Sequence, residues 1–283
     1  HILRDSDICG MDVDYASALA CLRDTIHFNV FTNKDTTPSK AQQTLASALF
    51  SEMDFLLAIP IDGLGQHMSP VEYITILKYR LMIPLFLVDA IRPVCRKACL
   101  DSFGEHAVHC KELPGFKYRH DMVRDVLFDI CRHAVISVKK EAPVNFLTDP
   151  SDGRSTLRPA DVLVFGWVRG KHACVDLTGV SPLMGLSSRG FTVGQAALKA
   201  ASCKVTKHEK ACIENQHVFI PFTFDTFGFL APESVELLTR VQRVMNSNVI
   251  APRSINVVFT RIGFAIQKGL AVQLVARLPS PTM

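Results

Sequence analysis

The sequence predicts an α+β protein whose central part follows the order helix, three strands, helix, strand. One observation is helical apolar spacing from about Arg119 to His133, and another is the set of short runs rich in β-branched residues that follows it. The third observation is another long helical pattern, which precedes the last β-rich run. The strand candidates are Ile136–Val144, Ala160–Trp167, Ala173–Val180 and His217–Phe224, and the second helix is Val193–Glu214.

Helical additions are predicted on both sides of this central part. The best-marked one begins at Ser69, which precedes Pro70 and stands three residues before Glu72 in the spacing of a capping box. It is predicted to run to Ile83, where Pro84 stops it. The other predicted helices are residues 12–31 and 38–58 and the segments Pro232–Met245 and Pro252–Leu278.

Composition excludes several protein classes. With 283 residues, 48% of them hydrophobic and 20% charged, the chain has the material for a large core and is not generally disordered. The longest apolar run, Leu81–Val88, is too short for a membrane-spanning helix, so no membrane partner is expected. Nine cysteines without an export signal favour an intracellular protein with reduced thiols. A chain that begins at His1 is expected to be a piece of a longer one.

Charge is distributed unevenly along the chain. The first third is acidic, whereas the stretch from Arg240 to the C-terminus holds six basic residues and no acidic one. Such a basic segment suits a polyanionic partner, because lysine and arginine release counterions from nucleic acid. The alternative is an ordinary solvated helix face.

Two acids stand among apolar neighbours on adjacent strand candidates. Asp161 follows Arg158-Pro-Ala, and Asp176 lies in Cys174-Val-Asp-Leu-Thr178. Two carboxylates at one end of a sheet attract Mg²⁺, which can activate water for phosphodiester hydrolysis. Glu141 on the first strand candidate is a candidate third ligand. The alternative is that these acids cap turns or pair with nearby basic residues.

A lysine is predicted to accompany these acids. Lys204 and Lys207 lie three residues apart on the second helix, and Lys199 lies about a turn earlier. One ammonium within roughly 6 Å of Asp161 or Asp176 would favour the charged forms of both groups. The alternative is that all three lysines are solvated.

The motifs together resemble the C-terminal region of plant non-LTR retrotransposon polyproteins over roughly residues 55–280. They are Gly104-Glu-His106-Ala-Val-His-Cys110, Lys117-Tyr-Arg119-His120-Asp-Met-Val-Arg124-Asp125, Leu157-Arg158-Pro159-Ala-Asp161, Val175-Asp176-Leu-Thr178 and Lys204-x-x-Lys207-His208. In that family a reverse transcriptase is followed by a Cys-Cys-His-Cys zinc knuckle and a restriction-enzyme-like endonuclease of the PD-(D/E)XK superfamily. The common core of that endonuclease is α-β-β-β-α-β, which is the order predicted above.

The resemblance implies a DNA endonuclease that uses Mg²⁺ or Mn²⁺ and works in the nucleus beside an upstream reverse transcriptase and the RNA of the element. It assigns metal binding to Asp161 and Asp176, with Ala160 as an insertion before the first acid. Thr178 stands where the family has a lysine, so Lys204 or Lys207 would supply the cation. The residues expected to contact nucleic acid are Arg119, His120, Arg124, Lys139, Lys140, Arg253, Arg261 and Lys268.

The resemblance also divides the chain into three parts. Residues 1–90 would be a helical region trailing the reverse transcriptase, 91–115 a zinc-knuckle-like segment and 116–283 the endonuclease-like domain. The expected zinc ligands are Cys95, Cys99, His106 and Cys110, with Arg92 standing where the family has its first cysteine. A degraded knuckle and an unrelated cluster of buried thiols are the alternatives.

A second function is compatible with the same residues. Arg92, Ala160 and Thr178 each depart from the family pattern at a functional position. A catalytically inactive nucleic-acid-binding remnant is therefore the alternative to an active nuclease. A third, weaker alternative is a protein-interaction domain. Polymerase, Walker-type nucleotide hydrolase and serine hydrolase functions are excluded as expectations, because their signatures do not occur.

Overall fold

A computed structural model describes residues 67–80, 83, 85–86, 104–112, 115–142, 160–182, 192–248 and 257–278. All of them belong to one compact unit, Thr44–Met283. The described elements, in chain order, are α1 (Pro70–Arg80), α2 (Glu105–His109), α3 (Tyr118–His133), β1 (Val138–Ala142), β2 (Ala160–Val168), β3 (Lys171–Val180), α4 (Gln195–Glu214), β4 (His217–Asp225), α5 (Pro232–Asn248) and α6 (Val257–Val275).

Helix α1 begins with the predicted capping box. The Ser69 amide donates to Glu72 Oε2 at 2.7 Å, and the Glu72 amide donates back to Ser69 Oγ at 3.3 Å. These two bonds satisfy backbone donors that the first turn of a helix leaves without partners. The prediction for this helix start is confirmed, and the helix ends at Arg80 rather than at Ile83.

The strands form one mixed sheet in the order β1-β2-β3-β4. The pairs β1–β2 and β2–β3 are antiparallel, whereas β3 and β4 are parallel. Arg169 and Gly170 close the β2–β3 hairpin with positive φ angles of 47° and 80°, as a tight two-residue turn requires. A parallel pair needs a long crossover, and α4 provides it between β3 and β4.

The two faces of the sheet carry different layers because successive residues of a strand point to opposite sides. Val162, Val175 and Phe222 belong to the large core under α3, α5 and α6. On the other face, Cys174 packs with Cys212 of α4 in a smaller cluster. The alternating pattern therefore places the acidic positions of β2 and β3 on the side of α4.

Helix α6 is apolar on nearly all sides because it packs against both α1 and α3. Its approach to α3 is close: a Cβ on Gly269 would lie 2.8 Å from Arg119 Cα, so this crossing requires glycine. At the end of α1, Tyr79 donates its hydroxyl to Thr226 Oγ1 at 2.9 Å and Arg80 donates to the Phe227 carbonyl at 2.8 Å. These bonds join α1 to the turn after β4.

The predicted order of helix, three strands, helix and strand is confirmed for Tyr118–Asp225. The first strand begins at Val138, two residues later than predicted, and it is described as far as Ala142. The helices predicted for residues 12–31 and 38–58 lie outside the described residues. The three-part division of the chain stays a prediction, although described helices of its first two parts, α1 and α2, pack against α6 of the third.

Candidate functional site

Asp161 and Asp176 occupy facing positions on β2 and β3. Val162 pairs with Val175, so the antiparallel register continued by one residue sets Asp161 opposite Asp176. Residues in such positions have Cβ atoms about 4.5–5.5 Å apart. Their side chains are 20% and 26% exposed, which leaves both carboxylates reachable from solvent. The sheet therefore forms a centre of two acids where β2 begins.

Asp161 is held through one of its two oxygens. Its Oδ2 accepts a hydrogen bond from the Leu177 amide at 2.6 Å and lies 3.3 Å from His120 Nε2. The first bond ties the carboxylate to the neighbouring strand, and the second ties it to the first turn of α3. Among the residues that the structure describes, no partner contacts Oδ1 of Asp161.

Asp176 pairs with a lysine of α4. Lys204 Nζ lies 2.7 Å from Asp176 Oδ2, and the two side chains are 29% and 26% exposed. The contact is an ion pair whose angles are not those of a hydrogen bond, since Oδ2 has no hydrogen-bond partner in the described structure. The predicted proximity of a lysine ammonium to one of the two acids is confirmed by this distance.

Helix α3 adds a row of charged side chains beside the acids. His120 and Arg124 lie one turn apart, and both contact Asp121 Oδ1: His120 Nδ1 at 3.3 Å and Arg124 Nη1 at 3.1 Å. Arg124 Nη1 also lies 2.5 Å from Glu141 Oε1. Polar contacts therefore run without interruption from Asp161 through His120, Asp121 and Arg124 to Glu141.

The pKa of His120 reflects this surrounding. Burial alone lowers it, but the hydrogen bond and charge of Asp161, followed by those of Asp121, outweigh burial and raise the pKa of His120 above its ordinary value. The neighbouring acids thus favour the imidazolium form. Asp161 therefore faces on the α3 side an imidazole whose protonation it favours, and Asp176 faces the Lys204 ammonium on the α4 side.

Glu141 was expected as a third metal ligand, and in the structure its described partner is Arg124. The side chain of Glu141 is 61% exposed. Its backbone has a positive φ of 46°, which is unusual for a residue with a Cβ. The pairs Lys140–Val162 and Ala142–Ala160 bracket Glu141 and Asp161, so the two acids occupy corresponding positions of β1 and β2.

The remaining lysine candidates lie elsewhere on α4. Lys199 and Lys207 are exposed, and no contact with either acid is recorded for them among the described residues. Thr178, which stands at the lysine position of the resembled family, pairs in register with Thr223 of β4. Lys204 is therefore the lysine that the fold brings to the acids.

The residues expected to contact nucleic acid fall into two groups. Lys139 and Lys140 are exposed on β1, and Lys140 Nζ lies 3.0 Å from Asp125 Oδ1. Arg119 and Arg261 are only 6% and 7% exposed, and Arg261 forms an ion pair with Asp129. Burial and, for Arg261, the ion pair with Asp129 limit the access of phosphate to these guanidinium groups, so a nucleic-acid role of either arginine stays a prediction.

Lys268 and Arg253 also belong to the residues expected to contact nucleic acid. Lys268 lines a groove between α3 and α6 together with Asp121, Asp125 and Asp129, whose charges oppose phosphate binding there. Arg253 lies outside the described residues.

Arg119 is an internal cation. Burial lowers its pKa to about 10, although the nearby Tyr79 and Asp225 favour its charged form. Its Nη1 atom is buried and has no hydrogen-bond partner in the described structure. The helical pattern around Arg119 predicted the element correctly but contained no signal that this residue points inward under Gly179 and Gly269.

The expected zinc site is only partly covered. Cys95 and Cys99 lie outside the described residues, while His106 belongs to α2 and Cys110 follows it directly. Across the described ranges, no group of three or more His, Cys, Asp and Glu side chains has the arrangement of a metal site. Zinc binding by this segment stays a prediction.

The sequence analysis did not predict two groups that hold residues of the candidate site. They are the Leu177 amide, which donates to Asp161, and Asp121, which contacts Arg124. The spacing of His120, Asp121 and Arg124 on one helix was a usable signal, because side chains one turn apart share a face.

The donor set suits a hard divalent cation. Asp161 and Asp176 each present an oxygen that has no partner among the described residues, and carboxylate oxygens are the preferred ligands of Mg²⁺ and Mn²⁺. Lys204 balances the charge of Asp176, and His120 offsets that of Asp161 when its imidazole is protonated. Two such carboxylates could serve as ligands of a magnesium ion, and no described group of three or more His, Cys, Asp and Glu side chains with the arrangement of a metal site surrounds them.

Within the described ranges, no helix has the length and apolar character needed to cross a membrane. The sequence matches no protein-family model, and no curated protein sequence matches it.

Proposed function

We propose that this chain contains a Mg²⁺-dependent DNA endonuclease domain of retrotransposon origin, which nicks target DNA by phosphodiester hydrolysis. One observation carries the proposal: Asp161 and Asp176 face each other on adjacent strands, with Lys204 at 2.7 Å from the second acid. Two carboxylates and a cation at one point of a sheet are the side chains that phosphodiester hydrolysis with a divalent ion requires.

The arrangement of elements supports a restriction-endonuclease-like core. The order α3, β1, β2, β3, α4, β4 surrounds a mixed sheet in which only β3 and β4 are parallel. The acids lie on the two central strands, and the crossover helix α4 brings the lysine to them. Four of the five motifs that resemble plant non-LTR retrotransposon polyproteins have residues on these elements: Arg119–Asp125 on α3, Asp161 on β2, Val175–Thr178 on β3 and Lys204–His208 on α4.

Each residue of the site has a chemical role in this proposal. Asp161 and Asp176 would hold the ion, which when bound supplies Lewis-acid polarisation of the phosphate and a more acidic water. Lys204 offsets negative charge that develops on the attacked phosphate. His120 and the Leu177 amide fix Oδ2 of Asp161, so that carboxylate keeps one orientation.

The proposed substrate is DNA in the nucleus, with the reverse transcriptase and RNA of the parent element as further partners. Lys139 and Lys140 extend the cationic surface along β1, next to the strand that carries Asp161. Contacts from such lysines go to phosphate groups and give little sequence preference. Affinity for duplex DNA should therefore fall steeply as salt rises.

Plasmid nicking by the purified full chain tests this proposal. With Mg²⁺, supercoiled plasmid should become nicked circle, EDTA should stop the reaction, and Asp161→Ala should remove it. Glu236→Ala, an exposed acid on α5, is the matched control and should nick at the wild-type rate. Equal nicking by wild type and Asp161→Ala would refute the site, and no nicking by wild type would refute the activity.

A binding protein without nuclease activity is the second candidate. It is favoured by the contacts of Asp161 with His120 and of Asp176 with Lys204, and by Thr178 at the family's lysine position. This candidate predicts salt-sensitive DNA binding that is unchanged by Asp161→Ala and EDTA, with no nicking under any divalent ion.

A further inference from the structure

Arg124 contacts Glu141, the acid of β1 that lies across from Asp161 of β2. Arg124 Nη1 lies 2.5 Å from Glu141 Oε1, and the Arg124 side chain is only 13% exposed. The same guanidinium contacts Asp121 and Asp125, both at 3.1 Å. Three carboxylates thus surround one arginine at the border between α3 and β1.

The backbone of Glu141 is unusual at this point. Its φ of 46° is left-handed, and residues without glycine's freedom adopt that conformation at a cost. Lys140 and Ala142 on either side pair in one continuous register with Val162 and Ala160, so the unusual φ is confined to Glu141, across from Asp161.

We propose that Arg124 is a positioning residue that withholds Glu141 from the Asp161–Asp176 pair, and that a DNA phosphate drawing Arg124 away releases Glu141 to join that pair as its third carboxylate. This inference rests on the proposed function and adds a regulatory step to the same site. Substrate and divalent cation would then bind cooperatively.

Physical chemistry makes this exchange feasible. Glu141 is 61% exposed, and exposed ion pairs contribute little to stability because water and salt screen them. Arginine binds phosphate with two parallel hydrogen bonds, and a nucleic acid offers a high local density of phosphate. DNA can therefore compete with Glu141 for Arg124 and draw the guanidinium away from β1, against the negative charge of Asp121 and Asp125.

Binding of Mn²⁺ to the DNA-free protein, followed by electron paramagnetic resonance of the free ion, tests the first half of the proposal. Arg124→Gln should bind Mn²⁺ about three- to tenfold more tightly than wild type, since it frees Glu141. The double variant Arg124→Gln/Glu141→Gln should return to the wild-type affinity within about twofold.

Lys117→Gln is the matched control for charge. It removes an exposed cation at the start of the helix that carries Arg124. Its Mn²⁺ affinity should change less than about twofold, because only long-range screening is altered. A Lys117→Gln gain equal to that of Arg124→Gln would overturn the proposal, as would an Arg124→Gln variant with wild-type Mn²⁺ affinity. Unchanged thermal unfolding of each variant excludes misfolding.

Binding of a short DNA duplex in EDTA tests the second half without any metal. Glu141→Gln frees Arg124 for phosphate and should tighten DNA binding about two- to fivefold, whereas Arg124→Gln should weaken it. The double variant should bind DNA like Arg124→Gln alone, because the glutamate acts through the arginine. Tighter DNA binding by Glu141→Gln that persists in the double variant would overturn the proposal.

Asp161→Asn separates failure of this inference from failure of the proposed function. If Asp161→Asn abolishes Mn²⁺ binding but Arg124→Gln does not alter it, the two-acid site stands and the role of Arg124 is refuted. If wild type and Arg124→Gln both fail to bind Mn²⁺, the proposed function and this inference are refuted together.

Discussion

Asp176 and Asp225 lie on neighbouring parallel strands, yet their surroundings differ in every respect that governs carboxylate chemistry. Asp176 is 26% exposed and pairs with Lys204, whereas Asp225 is 2% exposed and accepts the Phe227 and Phe229 amides on Oδ1 at 2.9 and 3.0 Å. The first is reachable and balanced by a side chain that can move. The second is enclosed and fixed by backbone, so it shapes the turn after β4.

The pKa of Asp225 reflects its buried position. Burial raises it to about 6, and the backbone amides of Phe229 and Phe227 and the charge of Arg80 only partly oppose that rise. A carboxyl that resists ionisation inside a turn is a structural group. The same residue type therefore has a structural role at the end of β4 and a proposed catalytic one on β3.

The largest expected effect comes from exchanging the acid on β3. Asp176→Asn should lower Mg²⁺-dependent nicking by roughly a thousandfold or more, since it removes a ligand charge from the site. Asp225→Asn keeps an oxygen that accepts the same amide bonds and should nick at the wild-type rate. Plasmid nicking is measured for both variants at equal folded fraction. Comparable losses of nicking in the two would show that Asp176 and Asp225 do not differ in role.

The stability of the protein should depend on pH through Asp225. Its folded pKa of about 6 lies above the ordinary value of 3.8, so the folded state binds this proton more readily than the unfolded state. The cost of burying the charge, roughly 3 kcal/mol from 1.36 kcal/mol per unit, is present above pH 6 and disappears towards pH 4.

Denaturant unfolding of wild type and Asp225→Asn at several pH values measures this effect. The free energy of unfolding of wild type should rise relative to Asp225→Asn as the pH falls from 7 to 4. A constant difference between the two proteins, or one that changes in the opposite direction, would show that Asp225 is ionised in the fold without penalty.

The third expected effect concerns the lysine of α4. Lys204→Met should reduce nicking about a hundredfold, because it removes the cation beside the attacked phosphate and leaves Asp176 without its partner. Lys210→Met is the control, since Lys210 is 88% exposed and lies 3.9 Å from Glu214 on the same helix. If Lys204→Met nicks plasmid at the wild-type rate, Lys204 contributes to stability alone.

The smallest expected effect concerns the residue that orients Asp161. His120→Ala should lower nicking about tenfold, because the Leu177 amide still holds the carboxylate. His120→Gln can donate a hydrogen bond to Asp161 and should recover part of the loss. If the glutamine variant is no better than the alanine variant in single-turnover nicking, His120 does not act by orienting Asp161.

The order of elements was predictable because it depends on local patterns. Short runs rich in β-branched residues indicated β2 and β3, and the Ser69–Glu72 spacing indicated the start of α1. The lysine contact was predictable as well, since two neighbouring acids favour a cation beside them and the helix before β4 carries several lysines.

Pairings that depend on register and on the direction of individual side chains were not predictable. No local pattern shows that Arg124 meets Glu141 across 17 positions of sequence, or that Arg119 lies under Gly269. Those contacts follow from the way α3 crosses α6 and β1, which is a property of the whole packing. The sequence therefore indicated the acids of the site better than the groups that hold them.

Anomalous diffraction from crystals soaked in Mn²⁺ most directly tests whether Asp161 and Asp176 share one cation. The expected result is a peak that has carboxylate oxygens of both residues within about 2.0–2.6 Å, with Lys204 displaced from Asp176. A soaked crystal in which Lys204 still pairs with Asp176 and no peak lies between the two acids would contradict a metal-dependent nuclease at this site.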